Sequence, residues 1–380
     1  YGAWYYDLAR RWDGSFLHQG PPQMRGDKTR GWDASGAFLL AYAMPLKSLV
    51  LTGREGSHAP QLDAPAAQAL IEDGKGWTRH DRHSFYGALS EKELLDRLGS
   101  WSPIVRERAA EALARRKGKP PMRALIRKLE SGPLESRIGA CQAFIQLGKK
   151  SSPAFSELRE TLHADDLWLR VKAAEAIAAM GEAGMPALPD LLERIAREPG
   201  KEDPRGMEQR FLSLTVFGKM LKRHSLEDVD KDLLRTAVAA GLKNEDGRAR
   251  ASFSGIYQQL SIKELEPLLP AIYHAMVKPA PSGIMFADGI RLAGLHLFAE
   301  HKIKQAIPLC LDLMDIQRWG KRRRMNSCLD ALEKYGSDAK PMLPRLRQLE
   351  QDLKAHREAK GLQPITNRVR QLIQDLEQGA

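Results

Sequence analysis

Apolar positions along the chain recur with a helical step nested in a longer period. An arginine is followed by a small residue at +3, another at +6, a large apolar residue at +7 and often a glycine at +11. The pattern reads Arg106/Ala109/Ala112/Leu113, Arg137/Ala140/Ala143/Phe144/Gly148 and Arg170/Ala173/Ala176/Ile177/Gly181. Weaker copies start at Arg210, Arg250 and Arg291, and a last one, Met325/Cys328/Ala331/Leu332/Gly336, has methionine in the arginine place. Steps of three and four put these residues on one helix face. Between copies runs a second apolar stripe, as in Met122/Leu125/Ile126/Leu129 and Leu188/Leu191/Leu192/Ile195. Prolines 121, 153, 186, 267, 308 and 341 stand near the start of these stripes, where the first helical turn tolerates a missing N–H. Seven copies spaced 31 to 41 residues apart predict an all-α array of helix pairs, each unit packing on its neighbours.

The same patterning divides the chain. Ser90-Glu-Lys-Glu93 is a capping-box signature, so the array is expected over residues 90–341. Residues 342–380 read as a helical hairpin, about 342–360 and 364–378, whose charged outer faces suit an end cap. Residues 54–89, rich in Gly, Pro, Asp and His, read as a linker. Residues 1–53 differ: the end of a helix, a Gly/Pro-rich stretch, then a helix over about 33–51 bent at Pro45. The opening Tyr1–Tyr6 run starts mid-pattern, so a longer parent chain is expected. The longest connections, 198–204, 222–232 and 278–286, should fall on one face, often the binding face of a repeat protein.

Composition narrows the classes. At 43% hydrophobic and 28% charged residues, wholesale disorder is excluded. A net charge of +11 favours anionic partners, an acidic protein face or nucleic acid. Cys141, Cys310 and Cys328 have no close spacing, which predicts free thiols and no zinc site. No run approaches the roughly 18 apolar residues of a membrane span. No cofactor motif is present, and neither compartment nor catalytic residues can be read. A monomer is expected.

Several clusters could carry chemistry, each with a plainer reading beside it. In the stretch 280–291, Ser282, Gly283, Asp288 and Arg291 would form a binding loop, or else a packed connection with Asp288 as a helix cap. Arg248 could hold an anion, or pair with Asp246. Arg318, Lys321, Arg322 and Arg323, with Arg324 and Trp319, could grip phosphates, or form a solvated turn. His80 and His83 have the spacing of a helical metal pair, with few supporting ligands nearby.

The small residues, the arginine and the early proline of the next helix resemble HEAT-type (armadillo-like) repeats, an α–α superhelix. That resemblance covers about 90–342 and implies that Arg106, Arg137, Arg170, Arg210, Arg250 and Arg291 form a structural ladder beside acids of neighbouring repeats. Asp13-Gly-Ser-Phe16, Gln19 and Gly31-Trp32 resemble the tail of an α/α-toroid of the terpene-cyclase and prenyltransferase kind, without its acidic or zinc-ligand motifs. This order of parts, with the runs 163–170, 244–250 and 280–291, is similar to a group of large bacterial proteins for which no activity is established. Asp165, Asp166, Trp168 and Arg170 resemble the dressing of HEAT-like DNA glycosylases.

These readings favour a non-catalytic protein-interaction or scaffold module with an acidic or extended partner. The alternatives are a basic nucleic-acid binder, a glycosylase relative among them, and the regulatory tail of an upstream toroid enzyme.

Overall fold

The computed structural model describes residues 82–203, 205–279, 284–318 and 320–378, together with 63–65 and 68, leaving aside the side chains of 82, 223 and 284–287. The toroid-like segment 1–53 and most of the expected linker lie outside the described residues. All regular secondary structure among the described residues is helical. The chain divides into two compact units, Tyr1–Ala183 and Gly184–Ala380.

The first unit contains α1 (Arg82–Ala88), α2 (Glu91–Arg97), α3 (Pro103–Arg115), α4 (Met122–Ser131), α5 (Leu134–Leu147), α6 (Phe155–Thr161) and α7 (Leu167–Ala179). The end of the expected linker is thus helical. Tyr86 is buried, and the Arg97 guanidinium lies over the Phe85 ring, 5.4 Å from its centroid. The capping box at α2 forms as expected: the Ser90 hydroxyl accepts from the Glu93 N–H and the Glu93 carboxylate accepts from the Ser90 N–H. At α7 the Asp166 carboxylate accepts from the Leu169 N–H at 2.8 Å.

The repeated pattern places α3 on α5 and α5 on α7, while α4 packs on α6. Ala109, Leu113, Ala140, Ala143, Phe144, Ala173, Ala176 and Ile177 are all buried in these contacts. The recurring glycine also has a local cause. Gly148 and Gly181 stand at φ +57° and +67°, a region that disfavours side chains, and each opens a 3-10 turn leading toward the second helix. Gly139 has a different task. A methyl there would overlap the Leu98 carbonyl, because the turn after α2 runs directly against α5. Gly139→Ala should therefore destabilise this unit by about 1–3 kcal/mol. Hydrogen exchange across 134–147 should show the loss of protection, and unchanged exchange there would refute the close approach.

The second unit contains α8 (Leu188–Ala196), α9 (Met207–Thr215), α10 (Lys231–Gly241), α11 (Gly247–Ser252), α12 (Ile262–Leu265), α13 (Leu269–Val277), α14 (Ile284–Glu300), α15 (Ile307–Asp312), α16 (Lys321–Tyr335), α17 (Leu343–Ala355) and α18 (Ala359–Gln378). Here α9 packs on α11, α11 on α14, α14 on α16 and α16 on α18, while α8 packs on α10. The weak copy after Arg250 shows how the pattern bends. Its helix passes into a 3-10 segment at Phe253, whose ring fills the space above Gly241 and lies 4.5 Å from the Phe217 ring. The small residue has moved to the facing helix, so the close fit survives with its partners exchanged.

The C-terminal hairpin differs in register from the sequence expectation. Its second helix starts at Ala359, not at 364, and carries Pro364 inside. Leu362 is fully buried and extends the stripe Ile365/Val369/Leu372 by one turn. That burial offsets the one backbone bond that Pro364 cannot donate.

Candidate functional site

The first helix of each pair begins just after a helix whose last carbonyls have no partner in their own helix. The repeat arginines donate to carbonyls there, as Arg137 and Arg291 do, or in the turn that follows the helix, as Arg106 and Arg170 do. Arg106 donates from Nη1 to the carbonyls of Ser100 (2.6 Å) and Trp101 (3.0 Å), and from Nε to Gln142. Arg137 Nε donates to the Leu129 carbonyl, Arg170 Nη1 to those of Ala164 and Asp165, and Arg291 Nε to that of Met276. Acids of a neighbouring repeat also enter. Arg210 pairs with Asp246 at 3.3 Å, and Glu135 lies near enough to Arg106 to oppose the lowering of its pKa by burial. The expected ladder of acid partners is thus largely a ladder of carbonyl partners, supplied by helix ends and by the turns that follow them.

Three arginines and one acid converge where α11, α14 and α16 meet. Arg324 is buried, and its guanidinium straddles Asp288: Nε lies 3.1 Å from each carboxylate oxygen and Nη2 3.0 Å from Oδ2. Nη1 of Arg324 donates to the Asp315 carbonyl at 3.0 Å. Burial lowers the pKa of Arg291, Asp288 opposes that, and Arg324 and Arg318 add to it. Arg250 is fully buried, and its one hydrogen bond runs from Nη2 to the Pro279 carbonyl at 3.3 Å. Its Nε and Nη1 find no acceptor. Burial lowers its pKa first and Arg291 second, against an opposing pull from Asp246.

This geometry corrects four sequence expectations. Asp288 and Arg291 stand on α14, which already begins at Ile284, so they belong to a helix and not to a loop, and Asp288 is not a cap. Ser282 and Gly283 lie outside the described residues. Arg248 is not an open anion contact: its side chain pairs with Asp246 at 3.0 Å, and Asp246 also caps α11. The basic run is partly consumed internally, since Arg318 pairs with Asp315 at 3.1 Å and Lys321 with Glu358 at 2.9 Å. Arg322 and Arg323 remain exposed. Sequence reading placed Met325 in the arginine position and missed that its neighbour Arg324 holds the buried ion pair. A cationic residue one step before a copy's first position was the available signal.

Two surface features stand apart from this cluster. In the first unit, Trp101, Leu134 and Trp168 are 42%, 40% and 45% exposed. They precede or begin α3, α5 and α7. The turn at Gly99 packs on Ser136 in the first turn of α5, and Gly148, just past α5, lies beside the last residue of α7, Ala179. The three apolar groups therefore follow one edge of that unit, where the exposed acids Asp96, Glu135 and Asp165 flank them.

In the second unit a cavity of about 570 Å³ lies among α8, α9, α10 and the turn before α11. Its inner wall is built by a closed set of amides. Asn244 Nδ2 donates to the Gly206 carbonyl (3.0 Å) and to Gln209 Oε1 (2.9 Å), while Gln209 Nε2 donates to the Ile195 carbonyl (2.8 Å). Gly206 sits at φ +60°, and an added Cβ would meet Asn244 Nδ2 at 2.7 Å, so glycine is required twice over.

Among the described residues no group of three or more His, Cys, Asp or Glu side chains is placed to hold a metal. The three cysteines are free and buried, and burial pushes the Cys141 and Cys310 thiols up to about 12. Among the described residues no helix is long and apolar enough to cross a membrane. A family model described as a domain of unknown function (DUF6288) matches residues 1–53. A comparison with curated proteins returns no match.

Proposed function

We propose that the chain is a non-catalytic, protein-binding module built as a HEAT-like α-solenoid. The observation that carries this reading is the edge formed by Trp101, Leu134 and Trp168, which sets three large exposed apolar groups at the starts of successive first helices. Exposed tryptophans clustered on a rigid scaffold are what protein interfaces use as anchors. Neighbouring stacked helices stand roughly 8–10 Å apart, close to three residues of extended chain at about 3.3 Å each. An extended partner segment could then place one apolar side chain on each helix start. The flanking Asp96, Glu135 and Asp165 favour cations on that segment, which turns the expectation of an acidic partner around for this edge. The internal pairing of Arg248, Arg318 and Lys321 weakens the nucleic-acid alternative, because paired cations contribute less to phosphate capture.

The test is affinity capture with the natural chain and with Trp101→Ser/Trp168→Ser. The double variant should lose the bound protein while its circular dichroism is unchanged. Equal capture by both, or salt-sensitive retention of duplex DNA in place of protein, would refute the reading.

A further inference from the structure

The cavity in the second unit has a charge arrangement that restricts what it can hold. One wall is the connection between α8 and α9, which brings Glu198 and Arg205; the other is the turn between α10 and α11, which brings Lys243 and Glu245. Each wall thus presents one acid and one base. All four side chains are exposed, and none forms an ion pair with a described residue. Elsewhere in this unit other charges at helix starts and turns are paired, as at Lys304–Asp338 and Arg345–Asp312. Four unpaired charges, two of each sign, around one concavity favour an occupant that itself carries both signs. A purely anionic strand would meet two carboxylates, and a polyamine would meet two cations.

The floor sharpens this. Ala196 is the last residue of α8, and Ala239 and Ala240 lie in the last turn of α10, so two helix C-termini end at the cavity. Helix C-termini carry partial negative charge, which suits an ammonium group. The small alanines leave room for a compact chain, and the amides of Gln209 and Asn244 hold the wall rigid because their hydrogen bonds are made to each other and to backbone. A volume of about 570 Å³ lies within the roughly 300–1,000 Å³ of small-ligand sites.

We infer that this cavity binds a short zwitterion, an α-amino acid or a di- or tripeptide with free ends. The ammonium lies toward Glu198, Glu245 and the helix C-termini, and the carboxylate toward Arg205 and Lys243. The inference is independent of the apolar edge in the first unit, and either can fail alone.

Calorimetric titration of the full chain with dialanine and trialanine tests it. N-acetylated and C-amidated trialanine, each lacking one terminal charge, serve as comparisons, with inorganic phosphate as a third. The free-ended peptides should bind, and each blocked form should bind at least about tenfold more weakly, near 1.4 kcal/mol. Ala240→Phe should fill the floor and abolish binding. Lys243→Glu, a surface change that leaves the fold intact, should cost at least as much as amidation. The site is disproved if neither free peptide binds at about 10 mM, if phosphate alone binds as well, or if blocked and free forms bind equally.

Discussion

Arg324→Met should lower the stability of the second unit by about 3 kcal/mol, and more than any other single change to its charged residues. Arg324 is 1% exposed and is held by three contacts with the Asp288 carboxylate and one with the Asp315 carbonyl. Breaking a buried ion pair from one side costs roughly 3–5 kcal/mol, chiefly because the remaining charge is stranded. Asp288 retains 21% side-chain exposure, so water relieves part of that cost and places the effect at the lower end. The chain has two compact units, so one global unfolding transition is not assumed. Hydrogen exchange over 284–300 and 321–335 reports the local change directly. The companion Arg324→Met/Asp288→Leu should recover much of the loss, since removing both partners leaves no stranded charge. If the double variant is no better than the single one, the ion pair is not what holds α14 to α16.

The helical pairs were legible because their apolar period is strong and their signals agree. At Arg137–Gly148, small residues, a large apolar residue and a positive-φ glycine all point to one helix with one end. In the structure α5 ends at Leu147 and Gly148 turns the chain. Legibility falls where packing is shared between elements. Phe253, three residues after Arg250, departs from the small-residue rule, yet it fits because Gly241, on another helix, yields the space. No single-copy pattern can show an exchange between copies. The hairpin start at Ala359 was obscured for the opposite reason: Pro364 is a strong local stop signal, and the burial of Leu362 overrides it.

The candidate sites were less legible than the fold, and for a physical reason. A basic run in sequence says nothing about which cations are already paired. Lys321 finds Glu358, 37 residues on, and Arg324 finds Asp288, 36 residues back. Those partners lie a full repeat away, on the neighbouring helix pair. Arg248 and Arg318, whose partners Asp246 and Asp315 are two and three residues away, could be judged locally. The cavity was hidden for a related reason. Its wall depends on Asn244 meeting Gln209 and Gly206, residues 35 and 38 positions earlier. What could be read was that the connection over 198–204 is unusually long, and part of the cavity wall is built from it.

Arg250→Met should have the opposite sign from Arg324→Met, although both arginines are buried in the same unit. Arg250 is fully buried, has one hydrogen bond of 3.3 Å, and leaves Nε and Nη1 without an acceptor. Its nearest influences are unfavourable on balance: burial and Arg291 both lower its pKa, and only Asp246, already engaged by Arg210 and Arg248, opposes them. Buried polar groups without partners cost about 1–3 kcal/mol each, and charged ones more. A methionine of similar length keeps the apolar stem packed where α11 and α14 approach through Ala251 and Gly289. Replacing poorly compensated buried charge with a well-packed apolar chain is often neutral, or stabilising by about 1–4 kcal/mol. The lost bond to the Pro279 carbonyl offsets about 1 kcal/mol of this. The expected result is unchanged or slower exchange over 247–259 and 284–300, with a net gain of about 0–2 kcal/mol. A loss of more than about 1 kcal/mol would mean that the Arg250 guanidinium is compensated after all, and would return it to the same structural role as Arg106 and Arg137.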